Sequence, residues 1–315
     1  MTAPPLHVVF GAGQVGHALV EHLAAQGKSV RVISLHRPPM LPESVDARIV
    51  DLNVAGEAEK AAQGASVIYQ CLNAPYTEWP TKFPPLQRAV IAAAEQTCAR
   101  LVTLENVYGY GPTDGAPMHE DLPLAATSVK GVARAAMNRE LVAASKAGRF
   151  PFAIGRASDF FGAGATESTF GQRVFANALA GKRADFIGNP DLLHTYSYVP
   201  DIAVGLAVLG VDDRAVGQVW HLPGPETLTT RAVLEVIAGQ VSHPVKIRSI
   251  PTFALRLAGF VNPMARGLAE IAYQFEQPFI LDTTKFESTF GRSGTAMELA
   301  IKETIAWYRT QGAAS

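Results

Sequence analysis

The 315-residue sequence predicts an α/β fold, a doubly wound parallel sheet followed by a smaller C-terminal part. Two observations support this prediction. Short apolar strands alternate with helical segments through the first half of the chain, and this order loosens after residue 150. Such alternation is typical of right-handed βαβ units. We expect a first domain at 1–160, to which 192–222 return, and a second part made of 161–191 and 223–315.

The individual elements follow from apolar periodicity and from the Gly and Pro residues between the periodic segments. In the first half we expect strands at 6–10, 30–34, 48–50, 66–72, 100–104 and 152–158, and helices at 15–26, 56–63, 84–97 and 128–147. Further on we expect helices at 169–182 and 228–241, strands at 195–200 and 219–225, and loops at 109–123 and 162–168.

Composition limits the possible partners. A net charge of -1 with 17% charged residues leaves no basic field for a phosphate backbone, so we do not expect nucleic-acid binding. The chain enters a strand at residue 6 without a leader-like segment, and its apolar runs are shorter than the ~20 residues of a membrane helix. Cys71 and Cys98 and the eight histidines have no metal-ligand spacing. We therefore expect a cytoplasmic, metal-free protein that acts on a small molecule.

The first strand runs directly into the sequence GAGQVG, which opens an amphipathic helix. In this context Gly11 allows a tight turn, Gly13 allows close approach of a pyrophosphate, and Gly16 allows the helix to pack on the strand. The pattern predicts a Rossmann-like dinucleotide site. The expected contacts are Gly11, Gly13, Gln14, Val15 and Gly16.

The end of the second strand selects the cofactor. An NAD site usually carries Asp or Glu there to bind the ribose 2′-hydroxyl, and this chain has SLHRPP instead. Arg37, with His36, suits a 2′-phosphate. We therefore expect NADP, with NAD as the alternative, although an arginine that is only solvated at a strand end would look the same.

Several short segments, in their order and spacing, resemble the extended and atypical short-chain dehydrogenase/reductases, the NAD-dependent epimerase/dehydratase-like group. They are GAGQVG, the pair at 51–52, LNA at 72–74, NVYGYGP at 106–112, the helix that carries Lys130, GRASDFFG at 155–162 and HTYSYVPD at 194–201. The resemblance implies that Asp51 and Leu52 contact adenine, that Asn73 and Ala74 line the nicotinamide end, and that residues 156–161 border the substrate and the nicotinamide. The expected substrate contacts are Tyr76, Tyr110, Ser158, Asp159, Phe160 and Tyr196.

The resemblance breaks at the residues that move protons. The family normally has a tyrosine four residues before the helix lysine, and a Ser or Thr three residues before VYG. Here Ala126 and Leu104 stand at these positions, and YxxxK occurs nowhere in the chain. Lys130 is thus expected to bind the nicotinamide ribose without the phenol that it usually serves; a solvated lysine on the helix surface is the competing interpretation.

Three explanations of the missing phenol stay open at this point. Another group can supply the proton, and Glu105 with Asn106 is the first choice, since related sugar dehydratases have an acidic pair there; a hydrogen-bonded structural carboxylate is equally compatible. The weaker candidates are Tyr76, Tyr110, Tyr196 and Ser158. In the second explanation, hydride is delivered to a conjugated or iminium-like centre, and water can supply the proton. In the third, the protein binds NADP as a redox sensor without turnover.

The sequence favours an NADP(H)-dependent oxidoreductase that acts on a small or medium, partly apolar carbonyl-like substrate. The alternatives are an epimerase or dehydratase with recycled NAD(P) and a non-catalytic NADP-binding redox sensor. Loop aromatics favour an aromatic or terpenoid-like ligand if they are not local core: Tyr76, Trp79, Phe83, Phe160 and Phe161. The resemblance also implies a homodimer through the helices at 84–97 and 128–147, the second of which offers Val132, Ala136, Leu141 and Ala143.

Overall fold

A seven-stranded parallel sheet lies at the centre of the computed structural model, which describes residues 4–38, 40–168, 170–241 and 244–313. The strands of the described chain are β1 (Leu6–Phe10), β2 (Ser29–Ser34), β3 (Asp46–Ile49), β4 (Ala65–Gln70), β5 (Arg100–Asn106), β6 (Phe152–Ala157), β7 (Asp159–Phe161), β8 (Ala184–Ile187), β9 (Leu193–His194), β10 (Tyr196–Tyr198), β11 (Gln218–His221), β12 (Leu228–Thr229) and β13 (Ile247–Ile250). The sheet order is β11-β6-β5-β4-β1-β2-β3. The chain reverses its direction of growth between β1 and β4, so the predicted doubly wound fold is confirmed.

Helices cover both faces of this sheet. They are α1 (Gln14–Ala25), α2 (Glu57–Ala61), α3 (Trp79–Thr97), α4 (Val129–Lys146), α5 (Gln172–Leu179), α6 (Val199–Val211), α7 (Thr230–Gln240), α8 (Thr252–Ala258), α9 (Pro263–Ala269), α10 (Thr284–Phe290) and α11 (Met297–Ala313). Single 3₁₀ turns occur at Tyr76–Glu78, Asp213–Ala215 and Ala272–Phe275. Helices α1 and α6 pack together on one face, and α2, α3 and α4 on the other.

Alternation along the strands explains why both faces are apolar. In β1, Val9 belongs to the core under α1 and α6, whereas Val8 and Phe10 belong to the core under α2 and α3. All three side chains have 0% exposure. Burial on both faces is what a parallel sheet requires, because crossover helices cover it on either side.

A third core lies outside the sheet, in what we call the outer lobe: α5, β8, α7, β13, α8, α9 and α11. Phe175 of α5, Leu234 of α7 and Ile301 of α11 are all buried in this core. A smaller cluster joins β8 to the turn after α9 through Phe186 and Phe275. The domain boundaries expected at 160, 191 and 222 stay a prediction.

Several expected elements differ from the observed ones; the strand expected at 219–225, for example, is β11 and ends at His221. The strand expected at 195–200 ends at Tyr198, because α6 begins at Val199 with proline in its first turn, a position that suits proline. Helix α3 begins at Trp79 rather than at 84, since Trp79 and Phe83 are anchored against Met137. Residues 159–161, expected in a loop, form β7, which pairs in parallel with β10.

Within the described ranges, no helix has the length and apolar character to cross a bilayer. The same residues contain no group of three or more His, Cys, Asp or Glu side chains that are placed to hold a metal ion. Cys71 and Cys98 are both free thiols.

Candidate functional site

The turn between β1 and α1 has the geometry of a phosphate-binding loop. Gly11 has φ +101°, and a Cβ there would lie 2.6 Å from the Cys71 carbonyl oxygen, so only glycine fits. A Cβ at Gly16 would lie 1.9 Å from the Gly11 carbonyl oxygen. A Cβ at Gly13 would meet nothing within 4 Å, so this position faces open space in front of the helix.

The first turn of α1 is free to bind an anion. Its N-cap residue is Gly13, no side chain caps its amides, and no acidic residue lies in its first turn. Gln14 is half-buried and Val15 is buried against the sheet core. The turn therefore fits the pyrophosphate of a dinucleotide.

The ends of β2 and β3 supply the groups expected around the adenosine. His36 and Arg37 are both exposed, and within the described ranges Arg37 has no hydrogen bond or ion pair. The exposed Asp51 carboxylate accepts hydrogen bonds from the Asn53 amide (2.9 Å) and side chain (2.8 Å), which lower the pKa of Asp51. Leu52 packs partly into the core under α2 and α3. A free guanidinium at this position is compatible with a ribose 2′-phosphate.

After β4 the chain passes Asn73, which is exposed, and Ala74, which is buried. The Trp79 indole donates a hydrogen bond of 3.0 Å to the Ala74 carbonyl oxygen. This bond fixes the loop that leads to Tyr76 at the edge of the sheet.

Lys130 is buried in the first turn of α4. Ser128 caps this helix by accepting a hydrogen bond from the Gly131 amide, and Lys130 is only 4% exposed. Its ammonium donates to the Gly267 carbonyl oxygen (3.3 Å), lies 3.6 Å from a Glu270 carboxylate oxygen and stands 4.3 Å from the centre of the Tyr76 ring. The alternative of a solvated surface lysine is therefore wrong.

Burial lowers the pKa of Lys130, and the nearby Glu270 carboxylate opposes this effect. An ammonium has three donors and no acceptor, so one donor beyond these two partners is available to a ligand. The residue therefore fits the expected contact with a ribose diol.

Tyr76 belongs to an aromatic wall beside Lys130. Its ring meets Trp79 edge-on at 5.6 Å, and Trp79 lies 5.8 Å from Tyr108. Its hydroxyl donates to the Gly267 carbonyl oxygen at 3.3 Å. Burial raises the pKa of Tyr76, and a hydrogen bond with Tyr108 opposes this. The structure thus brings Tyr76 and Lys130 together.

Glu105 has structural partners. Its carboxylate lies 3.0 Å from Arg156 and accepts a hydrogen bond from Asn138 at 3.2 Å. Glu105 and Arg156 are each 3% exposed. The neighbouring Asn106 accepts a hydrogen bond from the Tyr108 amide, as in an Asx turn. This environment favours a structural carboxylate over a proton donor.

Tyr110 and Tyr196 are placed in the interior and not beside Lys130. The Tyr110 hydroxyl is bonded to His221 at 2.7 Å, and burial raises the pKa of Tyr110 to about 12. Tyr196 is fully buried in the outer-lobe core, with its hydroxyl 2.7 Å from Thr230. Neither ring contacts Lys130 among the described residues, whereas Tyr76 does, so the geometry does not support a substrate contact for Tyr110 or Tyr196.

The segment after β6 contributes a buried polar group. Ser158 is 3% exposed, and its hydroxyl has no partner among the described residues. Asp159 pairs with His194 at 2.9 Å. Phe160 is half-buried and packs against the sheet core. Ser158 and Asp159 remain candidates for substrate contact.

The aromatic residues expected to line a pocket are mostly core, which removes the basis for an aromatic ligand. Trp79 and Phe83 pack with Met137, and Phe161 stacks on Phe175 with 6.3 Å between ring centres. Large apolar side chains between packed elements are usually buried against apolar neighbours. Of this set, Tyr76 alone contacts Lys130 within the described residues.

Sequence reasoning missed four residues of the site. Glu270 and Gly267 come from the outer lobe and reach Lys130 only through tertiary packing. The Tyr273 hydroxyl is buried, and burial raises the pKa of Tyr273, with a further contribution from the charge of Asp159 and opposition from Gln274. Tyr108 lies within NVYGYGP, so this motif could have identified it as a site residue.

Comparison with known proteins gives a consistent family match. The model of the NAD dependent epimerase/dehydratase family matches residues 7–220. No curated protein sequence matches the chain significantly.

Many solved structures share the fold. The protein MoeE5 in complex with UDP-glucuronic acid and NAD is 21% identical, with a TM-score of 0.77 over 97% of this chain and 99% of that one. The UDP-glucuronic acid 4-epimerase from Bacillus cereus, solved with UDP-glucuronic acid and NAD, is 16% identical, with a TM-score of 0.78 over 97% and 99%. The dTDP-glucose 4,6-dehydratase from Bacillus anthracis str. Ames, solved with NAD, is 17% identical, with a TM-score of 0.77 over 97% of each chain.

Proposed function

Because the chain belongs to the NAD-dependent epimerase/dehydratase family, we propose that it is an NAD(P)-dependent enzyme of the epimerase or dehydratase type. The Gly11–Gly16 turn and Lys130 would hold the two ends of the dinucleotide, which would supply reversible hydride transfer without net consumption. The family match favours this class over the carbonyl reductase expected from the sequence.

The observation that carries the proposal is the burial of Lys130 at the carboxyl edge of the sheet. Its ammonium is 4% exposed, faces Tyr76 and is covered by Gly267 and Glu270 of the outer lobe. Ligands of open α/β sheets bind at this edge, where the strand order reverses. A buried, desolvated ammonium there is suited to bind a ribose diol and to stabilise negative charge that develops on a substrate oxygen.

We further propose that NADP is the preferred cofactor, with NAD as the alternative. The support is the Arg37 guanidinium, exposed and unpaired within the described residues, at the end of β2. A guanidinium binds a phosphate through parallel hydrogen bonds, whereas a ribose hydroxyl does not need one. The solved structures above contain NAD, and their low identities leave the choice in this chain open to test.

For the substrate we propose a nucleotide sugar, the class of molecule seen in the similar solved structures. We assign Lys130 and Tyr76 to its reacting end, together with Ser158, whose hydroxyl has no partner among the described residues and which precedes Asp159, a residue whose charge acts on Tyr76. Such a set of donors suits the hydroxyls and the carbonyl of a sugar ring better than an apolar ligand.

The test is the fate of the cofactor. The purified protein is denatured to release and identify bound NADP or NAD, and is then incubated with UDP-glucose, UDP-glucuronic acid or dTDP-glucose. We expect an epimerised or dehydrated sugar in the NMR spectrum without a net change in absorbance at the reduced-nicotinamide wavelength. Stoichiometric oxidation of NADPH by simple aldehydes or ketones, without any sugar product, would contradict the proposal.

A further inference from the structure

A phenol and an ammonium converge on one oxygen atom at the edge of the sheet. The Tyr76 hydroxyl and the Lys130 ammonium each donate to the Gly267 carbonyl oxygen at 3.3 Å. The ammonium also lies over the Tyr76 ring, 4.3 Å from its centre. Two donors directed at one oxygen form the arrangement that stabilises an oxyanion during catalysis.

Glycine at position 267 permits this convergence. A Cβ there would lie 2.7 Å from the Lys130 ammonium and 3.2 Å from a ring carbon of Tyr76. The Gly267 carbonyl therefore marks a place between the two donors where an oxygen atom fits. A substrate oxygen has the same hydrogen-bonding capacity as this carbonyl and would have to displace it to bind both donors.

We propose that Tyr76 is the proton-transfer residue of this enzyme and that Lys130 is its electrostatic partner. The phenol absent at Ala126 is thereby supplied from the loop after β4 instead of from α4. This inference rests on the proposed function.

Other candidates fit the role less well. Glu105 is held by Arg156 and Asn138 inside the sheet layer. The Tyr273 hydroxyl is buried, but its ring packs toward Phe279, and within the described residues it has no contact with Lys130. Tyr108 contacts Trp79, one side chain further from the ammonium.

The proton balance is simple. In the oxidising direction the Tyr76 phenolate oxygen takes the proton of a substrate hydroxyl, and in the return direction the Tyr76 phenol gives that proton back to the carbonyl oxygen. The nicotinamide, if held by the Gly11–Gly16 turn and Lys130, would supply the hydride acceptor and donor for the same substrate carbon, so that the electrons balance over one turnover. The Lys130 ammonium stabilises the phenolate in the interval.

Several groups set the ionisation of Tyr76. Burial raises its pKa, the hydrogen bond with Tyr108 lowers it, and the charges of Asp159, Glu270 and ionised Tyr273 raise it further. An ammonium within about 4–6 Å of a phenolate lowers the pKa of the phenol by roughly 1–3 units. Lys130, which shares the Gly267 carbonyl oxygen with the phenol and lies over its ring, is the positive charge placed to favour the phenolate.

The first experiment needs no substrate. Difluorotyrosine, whose phenol ionises near neutral pH, is placed at position 76 and titrated by ¹⁹F NMR in the wild-type background and with Lys130→Met. We expect the pKa to be at least about one unit higher with Lys130→Met. Tyr308, whose hydroxyl has no partner among the described residues, is the matched control, and its pKa should not respond. Equal pKa values at position 76 in both backgrounds would overturn the inference.

The second experiment measures rate. Tyr76→Phe should lower kcat about 10²–10⁴-fold, with KM and NADPH affinity within about twofold of wild type, whereas Tyr308→Phe should leave kcat unchanged. A Tyr76→Phe variant with a rate close to wild type would overturn the inference. Equal pKa values in the titration would overturn only the pairing of Tyr76 with Lys130. The proposed function would be overturned separately, by the result of the cofactor-release test.

Discussion

The buried pair of Glu105 and Arg156 gives a quantitative prediction that separates a structural from a catalytic carboxylate. Substituting Glu105→Gln keeps the shape and removes the charge. Arg156 is 3% exposed and would lose its partner at 3.0 Å. Arg134 is also buried, and two of its guanidinium nitrogens have no partner among the described residues. Without the Glu105 charge, the positive charges of Arg134 and Arg156 would both be uncompensated.

Breaking a buried ion pair in this way costs about 3–5 kcal/mol of the free energy of unfolding, because one charge is left without compensation. For 315 residues and an unfolding entropy of about 2.1 cal/mol/K per residue, this corresponds to a decrease in Tm of about 5–8 °C. Thermal unfolding measures the decrease in Tm, and urea unfolding measures the decrease in the free energy of unfolding. The double variant Glu105→Gln/Arg156→Met should recover part of the loss.

The exposed pair of Arg88 and Glu140, 2.7 Å apart, provides the matched control. Glu140→Gln should change the free energy of unfolding by less than about 1 kcal/mol, because solvent screens that pair. If Glu105→Gln unfolds at the wild-type temperature but loses activity, the carboxylate is catalytic and our structural reasoning is refuted.

Three further predictions concern the cofactor, pH and assembly. Arg37→Ala should weaken NADPH binding by roughly 1.5–3 kcal/mol in calorimetric titration and leave NADH binding unchanged; equal wild-type affinities for the two would count against the assignment. Burial lowers the pKa of His221 to about 3, so below pH 6.5 the unfolded chain binds a proton at this residue that the folded protein does not, and about 5 kcal/mol of stability is lost as pH falls from 6.5 to 3. Urea unfolding of His221→Gln should then show a shallower loss between pH 6.5 and 4, and identical slopes would contradict this. Leu141, expected on the pairing surface of α4, is buried in the core, but Val132 (48%) and Val129 (56%) are exposed; we expect a homodimer in light scattering at micromolar concentration, and a monomer mass would rule it out.

Local patterns account for the parts of the fold and site that the sequence predicts well. The Gly11–Gly16 turn is recognisable because its conformation depends on residues adjacent in the chain. The parallel sheet follows from alternating apolar segments, since each strand is buried on both faces. The start of α3 was missed because Pro84 and Pro85 lie inside it, and packing of Trp79 outweighs their local cost.

The catalytic end of the site depends on contacts between distant residues. Tyr76 and Gly267 are 191 positions apart, and Lys130 and Gly267 are 137 apart. No periodicity or spacing encodes such a contact, so Glu105, adjacent to a recognisable motif, looked like the better proton donor. Its partner Arg156, 51 positions away, is visible only after β5 and β6 pair.

The central claim is that a nicotinamide dinucleotide binds across the Gly11–Gly16 turn, and Gly13→Val tests it most directly. A Cβ at Gly13 meets no protein atom within 4 Å, and the backbone there is extended (φ -71°, ψ -175°), so valine should leave the fold intact. The same side chain would stand where the pyrophosphate must approach the helix amides. Fluorescence titration of NADPH should show at least about a 100-fold loss of affinity, the worth of roughly 2.7 kcal/mol, with an unchanged Tm in the absence of cofactor. Wild-type NADPH affinity in Gly13→Val would contradict the account.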